Sequence, residues 1–250
     1  MFHFTAVREL KIKELEMEPV LFYGVPHGCS FGSIVALEWL GQPYRLSRID
    51  MLAKTKSNIY GRVNSQQQTP TLLLEDGQPL SESFAILQNI AARDLSRKLG
   101  FAQGTEAHDR LNQMLAYLHT SFHSAFASAW TAFKLKDGDP AIEILRELAR
   151  EKAAEGYAYL QRHMKGREWL VGDSKTIADA YLIGIARWGE DLQLFDLKRE
   201  YPEFYRYLQK LEADRAVMFA HAIEDGQPAA TSGQFLGHVD LAEIEPRLAA

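Results

Sequence analysis

Residues 25–33 read VPHGCSFGS, and Cys29 within this stretch is the only cysteine of the 250-residue chain. Apolar side chains recur at helical spacing from Ser30 to Leu40, so the cysteine lies at the start of a predicted helix. The positive end of the helix dipole and the free N–H groups there favour a thiolate and lower the pKa of a thiol. The position is therefore compatible with a reactive thiolate but does not by itself select it. The alternative is an inert cysteine, since free cysteines are among the most buried residues.

The stretch from Cys29 to Gly32 lacks the second cysteine of a C-x-x-C motif. Disulfide chemistry at Cys29 would therefore require a thiol from another molecule to resolve it. A second pair of candidate residues, His119 and His123, lies four residues apart on a predicted helix farther along the chain. That spacing could place two metal ligands on one face, but no carboxylate or cysteine ligand accompanies them on that helix, so we predict no metal site.

The hydrophobic pattern predicts the elements that position these residues. Val20–Tyr23 is a predicted strand, Ser30–Leu40 a helix and Tyr44–Ile49 a second strand, which together form a βαβ unit with parallel strands. Two short apolar runs around Asp76-Gly77 predict a β-hairpin, and a helix follows over 82–92. The first half of the chain is therefore an α/β unit with the order βαβ-ββα.

Beyond about Leu99 the sequence indicates amphipathic helices and no strand. Apolar residues recur at three- and four-residue spacing in long segments over 111–126, 141–164, 177–194 and 203–222. We therefore predict an N-terminal extension over 1–19 with a short helical pattern, an α/β domain over 20–98, an all-helical domain over 105–225 and a C-terminal tail over 226–250.

Composition argues against several classes of function. A net charge of −5 with no long basic run provides no broad surface for nucleic-acid phosphates. No apolar stretch approaches the roughly 20 residues that a membrane helix requires, and the N-terminus lacks the apolar core of a secretory signal. A single cysteine cannot form an internal disulfide. We therefore expect a cytoplasmic protein that binds neither nucleic acid nor membrane.

Further motifs complete a pattern with Cys29. Gln68-Thr69-Pro70-Thr71 opens the predicted third strand, Ser81-Glu82-Ser83 opens the helix that follows the hairpin, and His123 lies on the first long helix of the second half. The free N–H groups of a helix N-terminus can bind a carboxylate, and a serine there supplies a donor or a helix cap. Over about residues 20–223 the chain resembles the cytosolic glutathione S-transferases, and it most resembles their bacterial beta class.

The resemblance implies an α/β thioredoxin-like N-terminal domain, an all-α C-terminal domain and assembly into a homodimer. It implies reduced glutathione as co-substrate, a small hydrophobic electrophile or a disulfide as second substrate, and no metal. The catalytic residues that it implies are Cys29, Ser30 and His123. The glutathione-binding residues that it implies are Lys54 at the glycine carboxylate, Thr69 with its backbone beside a cis Pro70 at the cysteinyl part, and Glu82 with Ser83 at the γ-glutamyl end.

Some of these residues have other interpretations, and some positions depart from the beta class. Lys54 could be a solvated surface charge, and His123 a packed or surface histidine. The chain has Ala116 and Ser124 where the beta class commonly has asparagine and lysine, and Gly24 where a tyrosine is frequent. Two other functions therefore stay open: a glutathione-dependent disulfide or peroxide reductase, and a non-enzymatic binding protein of the same fold.

Two further features concern the helical half. Thr176-Ile-Ala-Asp179 fits a capping box, in which each of the two side chains accepts a hydrogen bond from the other residue's backbone N–H. Four aromatic residues could form either an apolar wall for the second substrate or part of the core: Trp130, Phe133, Trp188 and Phe195.

Overall fold

The N-terminal half folds around a mixed β-sheet. The computed structural model describes residues 18–53 and 57–248. Strand β1 (Val20–Val25) is entirely buried and pairs in parallel with β2 (Pro43–Asp50). Helix α1 (Phe31–Leu40) connects the two strands and ends at Gly41, whose φ of 69° lies in the left-handed region that favours glycine. The predicted βαβ unit is therefore confirmed.

The hairpin and its following helix complete the predicted order. After α2 (Asn58–Val63), a helix in a polar stretch for which the pattern predicts no element, come the antiparallel strands β3 (Thr71–Leu73) and β4 (Pro79–Ser81) and helix α3 (Ser83–Ala92). Strand β3 pairs in antiparallel orientation with β1. The thioredoxin-like order βαβ-ββα is confirmed, with α2 inserted between its two halves.

A fifth strand, β5 (Gln234–His238), contradicts the prediction that no strand follows Leu99. It pairs in parallel with β2, which gives the sheet order β4-β3-β1-β2-β5. Its sequence, QFLGH, is short, contains a glycine and alternates between exposed and partly buried residues. Neither length nor β-propensity marks such a segment as a strand, because tertiary contacts decide its conformation.

The carboxylate of Glu38 on α1 makes those tertiary contacts. One oxygen, Oε2, accepts hydrogen bonds from the backbone N–H groups of Ser232 at 2.5 Å and Gly233 at 2.8 Å. The other, Oε1, accepts from the hydroxyls of Thr231 at 2.8 Å and Tyr44 at 2.5 Å. Glu38 is only 3% exposed, so these donors replace the water that a carboxylate otherwise binds. The segment that leads into β5 is thereby fixed to the α/β domain.

The second half is helical, as predicted; the helix predicted over 141–164 is observed over Ala141–His163, whereas the other three predicted segments divide into shorter helices. The helices are α4 (Glu106–Tyr117), α5 (Ala127–Phe133), α6 (Ala141–His163), α7 (Ile177–Ala186), α8 (Trp188–Asp191), α9 (Leu197–Glu200), α10 (Pro202–Glu212), α11 (Arg215–Glu224) and, after β5, α12 (Leu241–Ile244). The segment over 203–222 divides because the Asp214 side chain caps α11, accepting from the Ala216 N–H at 2.9 Å. The segment over 111–126 is interrupted by a π-helical turn (Leu118–His123) and a 3-10 turn.

Helix α7 joins the two halves, because it is buried along its whole length and crosses α1 at glycines. A Cβ atom on Gly32 would lie 2.5 Å from the carbonyl oxygen of Ala180, so only glycine permits this approach. The predicted capping box at the start of α7 is confirmed, with the Thr176 N–H donating to Asp179 Oδ2 at 2.7 Å. The crossing brings α7 beside the turn that carries Cys29.

Two predicted features lie outside the described residues: the short helical pattern over 6–17 and Lys54. Across 18–53 and 57–248, none of the helices combines the length and the hydrophobicity that a membrane span needs.

Candidate active site

Cys29 lies in the turn between β1 and α1, one residue before the helix N-cap. Its thiol is partly buried and donates a hydrogen bond to the carbonyl oxygen of Thr69, with 3.4 Å between Sγ and O. Burial raises the pKa of Cys29 to about 11; the Ser83 hydroxyl opposes this shift, and the negative charges of Glu82 and Glu224 add to it. The predicted fall in the pKa of Cys29 is therefore wrong, and the group is a neutral thiol at pH 7.

Ser30, the next residue, is fully buried. Its hydroxyl oxygen accepts a hydrogen bond from the backbone N–H of Gly24 at 3.1 Å, and its side chain makes no capping bond to α1. The hydroxyl thus ties the turn back to β1. The catalytic role that the resemblance implies for Ser30 stays a prediction, and this structure places its side chain away from the surface.

Thr69 and Pro70 form the other wall of the site. The peptide bond between them is cis, as predicted, and the Thr69 carbonyl accepts the thiol hydrogen of Cys29. Gly24 packs directly against Thr69, since a Cβ atom on this glycine would lie 2.2 Å from Thr69 Oγ1. A larger residue at position 24, such as the tyrosine frequent in the beta class, would displace Thr69. This departure from the pattern thus has a local steric reason.

Glu82 and Ser83 place the start of α3 beside the same thiol. Glu82 is the exposed N-cap residue, with a φ of 72° that a non-glycine residue rarely adopts. Ser83 is 4% exposed, and its hydroxyl acts on the pKa of both Cys29 and Tyr181. The structure therefore brings four of the predicted residues together around Cys29: Thr69, Pro70, Glu82 and Ser83.

His123 approaches this cluster through Tyr181 on α7. The Tyr181 hydroxyl lies 2.6 Å from Nδ1 of His123 and 3.1 Å from Nδ1 of His119. Burial, with a smaller effect of neighbouring His119, lowers the pKa of His123 to about 4, so its imidazole is neutral at pH 7. In the described part of the chain no three metal-ligating side chains form a group, and the Tyr181 hydroxyl contacts both histidines.

Tyr181 is a functional candidate that the sequence analysis misses. It lies in the run IADAYLIGIA, in which every residue is buried, so no polar face distinguishes it from core residues. Only the crossing of α7 over α1 brings its hydroxyl to the site. A helix that is apolar all round does indicate a buried position, but it does not indicate which hydroxyl meets a histidine.

Aromatic rings line the far side of His123. The His123 ring lies 5.0 Å from that of Trp188, which lies 5.2 Å from Trp130. The indole N–H of Trp188 donates to the carbonyl of His27 at 2.8 Å and so links this wall to the turn before Cys29. Phe195, by contrast, packs in the core 4.9 Å from Tyr157. Of these three rings, those of Trp130 and Trp188 are thus placed beside the candidate site, and the Phe133 ring lies 5.5 Å from that of Trp130.

Comparison with known proteins identifies the family. The family model for the glutathione S-transferase N-terminal domain matches residues 29–93, and that for the C-terminal domain matches residues 114–214. Glutathione S-transferase GST-4.5 of Xanthomonas campestris pv. campestris is 32% identical over 166 residues, which span 66% of this chain and 80% of that protein. The chain belongs to the glutathione S-transferase family.

Solved structures of glutathione S-transferases have the same fold. A bacterial beta-class enzyme of Sphingomonas chungbukensis superposes with a TM-score of 0.72 at 25% identity, covering 82% of this chain and 98% of that one. A sphingomonad glutathione S-transferase solved in complex with glutathione gives the same TM-score, identity and coverage. The predicted fold and family are therefore confirmed.

Proposed function

We propose that this glutathione S-transferase binds reduced glutathione beside Cys29 and conjugates it to a small hydrophobic electrophile. The observation that carries the proposal is the convergence on one thiol of the Thr69 carbonyl at 3.4 Å, the Ser83 hydroxyl and the start of α3. A helix start with a serine hydroxyl suits a carboxylate, and a free backbone edge suits the peptide part of a tripeptide. Glutathione carries both groups.

In this arrangement the γ-glutamyl carboxylate lies at Ser83, and Glu82 holds the α-ammonium group. The backbone of Thr69 pairs with the cysteinyl unit, and Lys54 faces the glycine carboxylate. The glutathione sulfur then lies near Cys29 and His123, with the rings of Trp188 and Trp130 available to an apolar second substrate. Detoxification of electrophiles in the cytoplasm is the role that fits this chemistry.

The ionisation of Cys29 favours conjugation over disulfide reduction. A reductase of this type needs a Cys29 thiolate to attack a disulfide, whereas burial raises the pKa of this thiol to about 11. When glutathione binds, the neutral Cys29 thiol turns its S–H from the Thr69 carbonyl to the glutathione thiolate, whereas two adjacent thiolates would repel each other. In the conjugation step, glutathione loses its thiol proton to solvent, its sulfur bonds to the electrophilic carbon, and the leaving group departs with its electron pair.

Calorimetry with reduced glutathione tests the binding site. Ser83→Ala should weaken binding by about 1.5 to 3 kcal/mol, the value of a hydrogen bond to a charged group. Ser96→Ala is the matched control, because Ser96 is exposed and its hydroxyl donates to Asp94 rather than to the site. Equal affinities of wild type and Ser83→Ala would show that the γ-glutamyl end binds elsewhere.

Turnover distinguishes conjugation from thiol exchange. With 1-chloro-2,4-dinitrobenzene as electrophile, Cys29→Ala should retain measurable conjugation and nearly unchanged glutathione affinity, because Cys29 contributes only a hydrogen bond to the sulfur. With hydroxyethyl disulfide as substrate, activity that disappears in Cys29→Ala would favour the reductase instead. No glutathione binding by wild type would refute both enzymatic functions.

We also propose a homodimer in which the α/β domain of one subunit, over 20–98, contacts the helical domain of the other, over 105–225. Such a pair closes by two-fold symmetry. Light scattering at tens of micromolar should give twice the mass of the 28.3 kDa chain, and a single-chain mass would refute the assembly.

A further inference from the structure

The hydroxyl of Tyr181 is the point at which both histidines meet the candidate glutathione site. Tyr181 is 1% exposed, and its oxygen lies 2.6 Å from His123 Nδ1 and 3.1 Å from His119 Nδ1. The Ser83 hydroxyl and the Cys29 sulfur lie close enough to influence the pKa of the phenol. The phenol is thus in contact with the histidines on one side and adjoins the Cys29 cluster on the other.

The number of hydrogens decides which group donates. Burial raises the pKa of Tyr181 well above its usual value, so the phenol keeps its single hydrogen at neutral pH. Two ring nitrogens share that oxygen, and only one of them can accept the hydrogen. The contact of 2.6 Å to His123 fits O–H···N donation, and the contact of 3.1 Å to His119 fits donation from the His119 N–H into the oxygen.

This assignment fixes the tautomer of His123. A neutral imidazole that accepts at Nδ1 carries its hydrogen on Nε2. Among the described residues, Nε2 of His123 has no hydrogen-bond partner, since its one hydrogen bond is the Nδ1 contact to Tyr181. The free N–H is therefore available to a ligand, next to the ring of Trp188.

We propose that Tyr181 is a positioning residue of the active site: its hydroxyl holds His123 in the tautomer that presents an Nε2–H donor to the sulfur of bound glutathione or to the second substrate. The effect of Tyr181 on turnover rests on the proposed function, whereas the hydrogen-bond geometry does not. Tyr181 touches no substrate and acts through His123. His123 is then a hydrogen-bond donor and not a base.

The fold holds both partners in place. A Cβ atom on Gly32 would lie 2.9 Å from the Cα atom of Tyr181, so the position of the tyrosine is set by the crossing of α7 over α1. On the other side, the π-helical turn Leu118–His123 carries both histidines on one short segment. Such turns occur often at functional sites, because they reorient a few side chains without ending the helix.

Nitrogen NMR of the histidine side chains tests the geometry directly. In wild type at pH 7.5, long-range ¹H–¹⁵N spectra should show His123 protonated at Nε2 and unprotonated at Nδ1, with His123→Gln identifying its signals. In Tyr181→Phe this single tautomer should become a mixture. The control is Tyr157→Phe, since that buried hydroxyl donates to the Ala186 carbonyl at 2.6 Å. A wild-type His123 protonated at Nδ1, or a tautomer unchanged in Tyr181→Phe, would overturn the proposal.

Kinetics tests the consequence for turnover. With 1-chloro-2,4-dinitrobenzene, kcat of Tyr181→Phe should be about three- to ten-fold lower than that of wild type, which is the range for one neutral hydrogen bond. Its KM for glutathione should stay within about two-fold of the wild-type value. In a His123→Gln background the same substitution should change kcat less than about two-fold, because the two residues act as one unit. Independent effects in the double variant would contradict the positioning role. If calorimetry detects no glutathione binding to wild type, the proposed function fails, and the tautomer measurement still decides the assignment of Tyr181.

Discussion

The contact between Glu38 and the C-terminal segment makes a prediction about local stability. In Glu38→Gln, the side-chain oxygen can occupy the Oε2 position and keep the N–H groups of Ser232 and Gly233 as donors. These two bonds and the one from the Ser232 hydroxyl, at 2.9 Å, then change from charge-assisted to neutral, a loss of about 1 kcal/mol each. The new NH₂ group faces the hydroxyls of Tyr44 and Thr231, which can rotate to accept. Because a neutral amide is also less costly to bury than a carboxylate, the net loss should be about 1 to 3 kcal/mol.

The loss of stability should be seen in the segment 231–239 before it is seen in the unfolding of the whole domain. Thr231 and Ser232 are exposed, so the segment 231–239 can separate from the sheet without opening the main core. Opening would also break the bond from the Val239 N–H to the Leu46 carbonyl, at 2.9 Å. At 1.4 kcal/mol per factor of ten, protection of these amides against hydrogen exchange should fall about 5- to 150-fold. The amides of β1 should change much less.

Hydrogen exchange followed by mass spectrometry, on peptides covering 20–25 and 231–239, measures this difference. Glu155→Gln is the matched control, because Glu155 is exposed on α6. Unchanged protection of 231–239 in Glu38→Gln would show that Glu38 does not hold the segment. An equal loss in β1 and β5 would show that the segment opens only with the whole domain. Either result would refute the reasoning.

Two further predictions concern ionisation. The rate of Cys29 alkylation by iodoacetamide should rise with pH toward an inflection near 11. At pH 7.5 this rate should be about 100-fold lower than for free cysteine. An inflection at or below about 8.5 would contradict the buried thiol. His123 has a pKa of about 4 in the folded protein and 6.5 as a free group, so the unfolded chain binds the proton first as pH falls. Its contribution to the free energy of unfolding is therefore intact above pH 6.5 and is lost between pH 6.5 and 4. Urea titrations measure the free energy of unfolding at pH 7.5 and at pH 4.5. Its decrease between these two pH values should be about 2 kcal/mol larger in wild type than in His123→Gln. Equal decreases would show that His123 is not the titrating residue.

Local motifs predicted much of the site because each is a short stretch of chain. The helix starts at Ser30 and Ser83 and the Thr176 capping box depend on residues close in sequence, whereas the cis bond before Pro70 was implied by the family resemblance alone. The thioredoxin-like order follows from strands and helices with clear hydrophobic patterns. Such features are predictable because the interactions that determine them involve few intervening residues.

Features that depend on distant contacts were not predictable. Strand β5 is held by Glu38, more than 190 residues earlier in the chain, and its own sequence is a weak strand former. Tyr181 meets His123 across a separation of 58 residues, from within a helix with no polar face. Ser30 lies at a helix start, yet its buried hydroxyl accepts a hydrogen bond from the Gly24 N–H instead of capping the helix. The packing of α7 on α1 determines where Tyr181 lies, whereas contacts with Glu38 and Gly24 fix β5 and Ser30.

Cys29 shows how two physical effects compete at one residue. A helix N-terminus stabilises a negative charge by about 0.3 to 1 kcal/mol, which lowers a pKa by less than about one unit. Burial raises the pKa of this thiol from 9.0 to about 11, which corresponds to about 3 kcal/mol in the opposite direction. Burial is the larger effect, since Cys29 precedes the N-cap and directs its S–H to the Thr69 carbonyl. In the proposed reaction the negative charge is therefore better carried by the glutathione sulfur than by Cys29, whose S–H would turn from the Thr69 carbonyl to that sulfur when glutathione binds.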